Sequence, residues 1–322
     1  MRARIPGGVG VLLTCCGAPS HWAARNDLRD AAAAFIRHAW AELGRPRMIL
    51  GCTTCRQVLR EAAPEIPTRS LWEELAEIGL PEGAKPADSL LALHDPCTAR
   101  DQDPVREAVR SLLRRLGQPV VEPELGGSLT ECCGFGGLMD AANPDLADRV
   151  ARTRAARCPE DLLAYCAMCR DSLSRSGKPV FHLLDLLFPE SPDAIQPAGT
   201  APMVRKGPGL PDRRQNRARL RQRLGGAAAP PREHHEISLV MEPEVRDAID
   251  QRRILEDDLR QVVLGSESGK RRFADPQTGR LLASRRIGYS TFWVEYEPLS
   301  ESPATYRIYR AWMHRMVVKE ES

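Results

Sequence analysis

Long apolar runs are missing from this 322-residue chain. No stretch approaches the ~20 residues a helix needs to cross a bilayer, so no integral membrane segment is expected. Aromatic residues make up only 5% and the net charge is +3, too small to argue for nucleic acid. No G-x-G-x-x-G sits between a strand and a helix, so nothing points to a bound flavin or nicotinamide. An export signal is lacking too. Arg2 and Arg4 precede the run Val9-Gly10-Val11-Leu12-Leu13-Thr14-Cys15, but its apolar core is short, Gly10 interrupts it, and Thr14 is larger than the small residue such cleavage prefers. That run is expected to be a buried strand. With many thiols that must stay unoxidised, the cytoplasm is the expected compartment. What remains, 42% hydrophobic and 28% charged, is ordinary for a globular chain of two domains.

Cysteine is the residue present in excess, and it is patterned. Cys15-Cys16 is followed by Cys52-Thr53-Thr54-Cys55, and Cys132-Cys133 by Cys166-Ala167-Met168-Cys169, with Cys97 ahead of the second set. Leu12-Leu13-Thr14-Cys15-Cys16-Gly17 recurs as Leu129-Thr130-Glu131-Cys132-Cys133-Gly134. Adjacent cysteines close a disulfide only with strain, yet they can present two thiolates to one metal centre. Thiolates without His or carboxylate at ligand spacing favour iron–sulfur clusters or zinc. A zinc ribbon needs two C-x-x-C knuckles ~15–20 residues apart, and each repeat has one. The glycines in Cys133-Gly134-Phe135-Gly136-Gly137 allow a tight turn against a bulky inorganic core, which favours a cluster over a single ion. A disulfide-stapled secreted fold is the weaker reading, because a chain this long can build an ordinary core. Cys158 fits no position of the repeat and reads as a buried structural thiol.

The run His94-Asp95-Pro96-Cys97, then Cys132-Cys133-Gly134-Phe135-Gly136, then Cys166-Ala167-Met168-Cys169, resembles the cysteine-rich CCG domain of heterodisulfide reductase B subunits and related iron–sulfur oxidoreductases. The resemblance spans roughly residues 9–190. It implies a [4Fe-4S] cluster, of noncubane type in some members, with Cys97, Cys132, Cys133, Cys166 and Cys169 as ligands. The first repeat offers Cys15, Cys16, Cys52 and Cys55 but no counterpart of Cys97. Three explanations stand open: another polypeptide supplies the fifth ligand, the chain's true start lies upstream, or the site holds a four-cysteine cluster or zinc. The implied function is an electron-transferring iron–sulfur subunit of a heterodisulfide-reductase-like complex, able in some members to split a disulfide. Its implied partners are other oxidoreductase subunits with a flavin- or ferredoxin-type electron donor. The competing reading is a zinc-stabilised interaction module without redox activity.

The expected fold is α/β: two tandem Rossmann-like repeats with parallel strands, residues 1–86 (incomplete) and 87–190, then a Pro/Arg-rich linker 191–234 and a small α+β domain 235–322. Strands are expected at Val9 to Thr14, Met48 to Leu50, Leu90 to Leu93 and Leu162 to Tyr165, and helices at Ala23 to Leu43, Pro104 to Leu116 and Pro144 to Arg157. Cysteines then cluster at the carboxyl ends of strands, the edge where open α/β sheets carry their sites. Residues 205–223 hold eight Arg or Lys against Asp212, without interleaved aromatics; docking to an acidic partner protein is expected there rather than nucleic-acid binding. Beyond it, Pro243 begins a helix with a stripe of Val245, Ala248, Leu255, Leu259 and Val262. Asp275 to Gly279 is a turn, Phe292 to Tyr296 and Tyr306 to Tyr309 are strands, and His234-His235, His314 and Met316 lack ligand spacing. This region is similar to a tail that accompanies CCG domains in large pyridine nucleotide–disulfide oxidoreductase/dicluster-binding proteins.

Overall fold

The computed structural model describes residues 5, 7–189, 219–220, 237–252, 254–269, 272–288, 290–301 and 304–314. Two compact units divide the chain: Met1–Ala23 with Leu28–Ala228, and Ala24–Asp27 with Ala229–Ser322. The fold is α/β with parallel strands in the first unit and a separate sheet in the second.

The expected strand over Val9 to Thr14 does not form; residues 8–16 have no regular structure. Gly7 and Gly8 take φ of +83°, and Leu12 to Thr14 are only half-buried. A strand also needs a neighbour to satisfy its backbone, and none pairs here among the described residues. A short helix α1 (Ala18–Trp22) precedes α2 (Asn26–Glu42), which forms the helix expected over Ala23 to Leu43, the two separated where Ala24 adopts φ +55°. Then come β1 (Met48–Leu50), α3 (Thr53–Ala62), β2 (Thr68–Ser70) and α4 (Leu71–Ile78). Strands β1 and β2 pair in parallel.

The second repeat runs β3 (Leu91–His94), a 3₁₀ turn at Cys97–Ala99, α5 (Asp103–Leu116), β4 (Val120–Val121), α6 (Met139–Ala142), α7 (Pro144–Ala156), β5 (Asp161–Ala164), α8 (Ala167–Leu173), β6 (Val180–His182) and α9 (Leu183–Leu187). Its four strands are parallel in the order β4-β3-β5-β6. The chain moves outward from β3 to β4, then returns to β5 on the other side, so the switch point lies between β3 and β5. Adjacent strands diverging in this way open a crevice at their carboxyl ends. Strand β3 reads Leu-Ala-Leu-His and is buried throughout, as suits a strand covered on both faces. Leu91 and Leu93 pack with Trp72, Val109 and Leu112 from α4 and α5. Ala92 packs with Cys133, Ala155, Leu162 and Leu173. One helix of the first repeat thus covers a face of the second repeat's sheet.

The two repeats agree in backbone detail. Cys52 and Cys166 are both extended N-cap residues, at φ −139°, ψ 126° and φ −127°, ψ 123°, each opening a helix after a strand. Strands β2 and β6 each feed a helix through a capping box, Ser70 with Glu73 and His182 with Asp185. Gly17 and Gly134, each following a vicinal pair, have φ of +90° and +89°. At Gly134 a Cβ would lie 2.5 Å from the carbonyl oxygen of Ala147 on α7.

In the second unit, α10 (Pro243–Gln251) and α11 (Glu256–Gly269) accompany a sheet of order β7-β11-β10-β9-β8. Its strands are β7 (Ser238–Val240), β8 (Phe273–Ala274), β9 (Leu281–Ile287), β10 (Ser290–Glu301) and β11 (Ala304–His314). The single helix expected from Pro243 onward is two helices. Glu256, Asp257 and Asp258 fill the first turn of the second, where acids complement the helix dipole, and mark a fresh start. Leu259 and Val262 of α11 pack with Val294 and Tyr296 of β10, and Trp293 stacks on its register partner Trp312 at 6.0 Å. The turn at Asp275 to Gly279 joins β8 to β9, with Gly279 N donating to Asp275 O. His314 ends β11 and accepts from Trp293 Nε1. The basic stretch apart from 219–220, His234-His235, Met316 and Val318 lie outside the described residues.

Gly177 has φ +87° with open space around its missing Cβ, and so serves as a control for Gly134. Gly177→Ala should cost only the left-handed backbone term, about 1–2 kcal/mol. Gly134→Ala adds an overlap with backbone and should cost roughly 1–3 kcal/mol more. Urea unfolding of the two metal-free variants measures the difference; equal losses would remove the steric account of Gly134.

Candidate metal centre

Three segments deliver the second cysteine set to the crevice between β3 and β5. Cys97 follows β3, Cys166 follows β5, and Cys132-Cys133 lie on the crossing loop from β4 to α6. A buried carboxylate joins all three. Asp95, two residues before Cys97, is fully buried and accepts from Arg110 Nη1 and Nη2 at 3.1 and 2.9 Å. Its side chain also accepts from Tyr165 Oη at 2.7 Å and Gly127 N at 2.9 Å. Its carbonyl accepts from Thr130 Oγ1 at 2.7 Å. Tyr165 adjoins Cys166 and Thr130 lies two residues before Cys132. Arg100, just past Cys97, donates to Thr130 O from Nε at 3.0 Å. Burial pushes the Asp95 carboxyl up, but the bonds from Arg110, Tyr165 and Gly127 outweigh it and hold it below the usual carboxylate range. Burial and the Asp95 charge push the Tyr165 phenol up.

All ten cysteines are free thiols. In the second set Cys132 is the acidic thiol, held far down by hydrogen bonds from Cys133 and Cys97 and by Gly134 N, which lies 3.3 Å from its sulfur. Cys97 and Cys133 are pushed up, chiefly by donating to it. Cys169 donates to Cys133 and Cys166; its own thiol is raised and Cys166 is lowered. The first set repeats the scheme: Cys16 is lowered to about 3 by Cys15 and Cys55, Cys52 to about 6 by Cys55, and Cys55 is raised. Cys15 is exposed, whereas Cys16, Cys133 and Cys169 are buried.

The structure therefore brings Cys15, Cys16, Cys52 and Cys55 together, and Cys97, Cys132, Cys133, Cys166 and Cys169 together. Cys158 is buried in the apolar cluster that also holds Ala155, Leu162, Cys133 and Cys169, at no position of the repeated cysteine pattern. The two sets are neighbours, since the charge of Cys52 acts on Cys166. A polar bridge spans them: Thr53 Oγ1 and Thr98 Oγ1 are 2.7 Å apart, and Gln102 Nε2 donates to Thr98 O and Thr53 O at 2.6 and 3.3 Å. Among the described residues no three His, Cys, Asp or Glu side chains converge on a single ion position. An all-sulfur donor set beside tight glycine backbone, with two helix N-termini starting at Cys52 and Cys166, fits an anionic iron–sulfur group. A cavity of about 530 Å³ lies to one side, lined by Arg56, Arg60, Asp101 and Gln102 among others and by no cysteine.

In the sequence Asp95 stands out only as part of a motif run, and Tyr165, Arg110, Thr98 and Arg154 carry no visible role. A carboxylate at the end of an apolar strand is the available signal, because such a group needs partners when buried.

Fold and site together define a cysteine-rich α/β protein with a duplicated thiol centre. Residues 91–174 match the model of the CCG family, described as a cysteine-rich domain, and this stretch is a CCG domain. An uncharacterized iron–sulfur protein of Methanococcus maripaludis is 25% identical over 203 residues, covering 56% of this chain and 40% of the relative. A subunit of the dihydromethanophenazine:CoB–CoM heterodisulfide reductase of Methanosarcina barkeri is 25% identical over 178 residues, covering 50% and 44%. A subunit of the CoM/CoB fumarate reductase of Methanothermobacter marburgensis is 26% identical over 189 residues, covering 54% and 38%. The chain thus spans about two fifths of the length of the curated relatives it matches. No solved structure matches it. Among the described residues no helix is long and apolar enough to cross a membrane.

Asp95→Asn removes the buried charge to which half-buried Arg110 donates, while Arg110 keeps Glu122 as a partner, and should cost about 1.5–3 kcal/mol in urea unfolding of the metal-free protein. Tyr165→Phe, which leaves the ion pair, should cost about 1–3 kcal/mol. Because Asp95 has its pKa depressed on folding, its stabilisation is complete above the unfolded value near ~4 and is lost as pH falls through the lower folded value. The Asn variant should accordingly lose less stability than wild type between pH 5 and the acid limit, in a pH series of unfolding curves; parallel curves would refute the assignment.

Proposed function

We propose that the chain is an iron–sulfur electron-transfer subunit of an oxidoreductase complex, with a [4Fe-4S] group held by Cys97, Cys132, Cys133, Cys166 and Cys169. The observation that carries this reading is the gathering of these five thiols, hydrogen-bonded to one another, at the switch point of a parallel sheet. The relatives support it, being iron–sulfur proteins and subunits of reductases. When bound, such a group supplies one-electron oxidation and reduction. The residues of the chain do the rest. Cys132 and Cys166 are the thiols of the set whose hydrogen bonds from neighbouring thiols favour the thiolate, and Asp95 fixes the three segments that bear the ligands.

Cys15, Cys16, Cys52 and Cys55 form a second centre, for a cluster or zinc, next to the first. Electrons reach the chain from a flavin- or ferredoxin-type partner subunit and pass to a further subunit or to a disulfide. The unlike reductases among the relatives favour the relay role over one fixed substrate. The linker's basic stretch serves as a docking strip for an acidic partner.

Anaerobically purified protein should be brown and contain iron and labile sulfide. Cys132→Ser or Cys133→Ser should abolish the second-repeat centre while Cys158→Ser leaves iron per chain unchanged. Cys97→Ser should lower iron to about half if both repeats hold clusters and to near zero if one does. Colourless protein with zinc alone would instead establish the structural, non-redox reading.

A further inference from the structure

Arg154 is the one arginine of α7 that is buried, at 2% exposure, and it shares a helix face with Ala147 and Ala151. That face receives the loop after the vicinal pair, since Gly134 abuts Ala147 and Val150. Arg154 Nε donates to Nδ1 of fully buried His94 at 3.3 Å. Its two terminal nitrogens, Nη1 and Nη2, are buried without a hydrogen-bond partner. Glu131, adjacent to Cys132, approaches Nη1 only to 3.7 Å and is shared with Arg157 at 3.3 Å. Its Oε2 and the His94 Nε2 are also buried without hydrogen bonds. Two guanidinium groups face a single carboxylate here. Burial keeps His94 neutral, so it offers Arg154 no opposing charge. A buried cation so weakly answered is costly unless an anion stands beside it. The ligand pair Cys132-Cys133 directly follows Glu131 in the sequence, and His94, to which Arg154 donates, lies near Cys132.

We propose that Arg154 is a positioning residue that sets the reduction potential of the centre held by Cys132 and Cys133, its free guanidinium N–H groups facing that centre and favouring its more negative, reduced state. The inference rests on the iron–sulfur reading above. It assigns Arg154 a charge that is useful when the centre is loaded and a burden when it is empty, which separates it from a packing role.

The test uses full-length Arg154→Leu and Arg154→Lys, loaded anaerobically, with iron per chain, a redox titration followed by electron paramagnetic resonance, and urea unfolding of metal-free and loaded forms. Arg154→Leu should shift the reduction equilibrium about tenfold toward the oxidised state, a potential about 59 mV lower for one electron. Metal-free Arg154→Leu should be no less stable than wild type, and Arg154→Lys should stay within about twofold of the wild-type equilibrium. Failure of metal-free Arg154→Leu to fold, or equal destabilisation of both forms, would show a structural role and overturn the inference. An unchanged potential in Arg154→Leu would overturn it too, as a buried water on the free nitrogens would predict. A folded Leu variant that takes up no iron supports it if the Lys variant loads normally, and refutes it if the Lys variant also fails. Wild-type protein without iron would overturn the underlying reading and this inference together, whereas iron at an unmoved potential overturns this inference alone.

Discussion

One buried carboxylate organises the centre. Asp95 sits at the end of a strand with no exposure, and its side chain is satisfied by a guanidinium, a phenol and a backbone amide drawn from three different segments. A charge in that position is tolerable only if every partner is present. The partners come from α5, the residue before Cys166, and the loop before Cys132. Fixing the charge therefore fixes the spacing of ligand-bearing segments that are far apart in sequence. Glycine does the complementary work: at Gly134 the backbone turns left-handed and approaches α7 more closely than any side chain permits.

The duplication is deeper than a shared spacing. N-cap cysteines, capping boxes and left-handed glycines recur at matching positions, so the repeated unit is a way of presenting thiols at helix starts. The repeats are nonetheless unequal. The second has a four-stranded sheet and five gathered thiols, while the first has two strands and four thiols among the described residues. Trp72 from the first repeat packs edge-on against Tyr165 of the second, and hydroxyls of Thr53 and Thr98 meet between the two centres.

Much of the centre was legible in the sequence. Vicinal pairs and C-x-x-C runs at repeated separations announce metal chemistry because thiolate ligands must be counted and spaced, and counting survives in one dimension. The short apolar run Met48 to Leu50 became a strand as its composition indicates, and the run Leu90 to Leu93 did so from Leu91 onward. The Val9 to Thr14 run did not, since an apolar stretch becomes a strand only when a neighbour pairs with its backbone. The break between α10 and α11 was missed although three consecutive acids marked it.

By itself, then, the sequence determined the α/β class, the two thiol sets and their softness toward metal, all of which follow from local composition and spacing. Only the tertiary structure decided that Asp95 answers Arg110 and Tyr165, that the vicinal pairs ride on loops, and that Arg154 is buried beside His94 with two nitrogens free. Those facts depend on which distant segments meet and which polar groups lose water when they do, and neither is written in the spacing of residues along the chain.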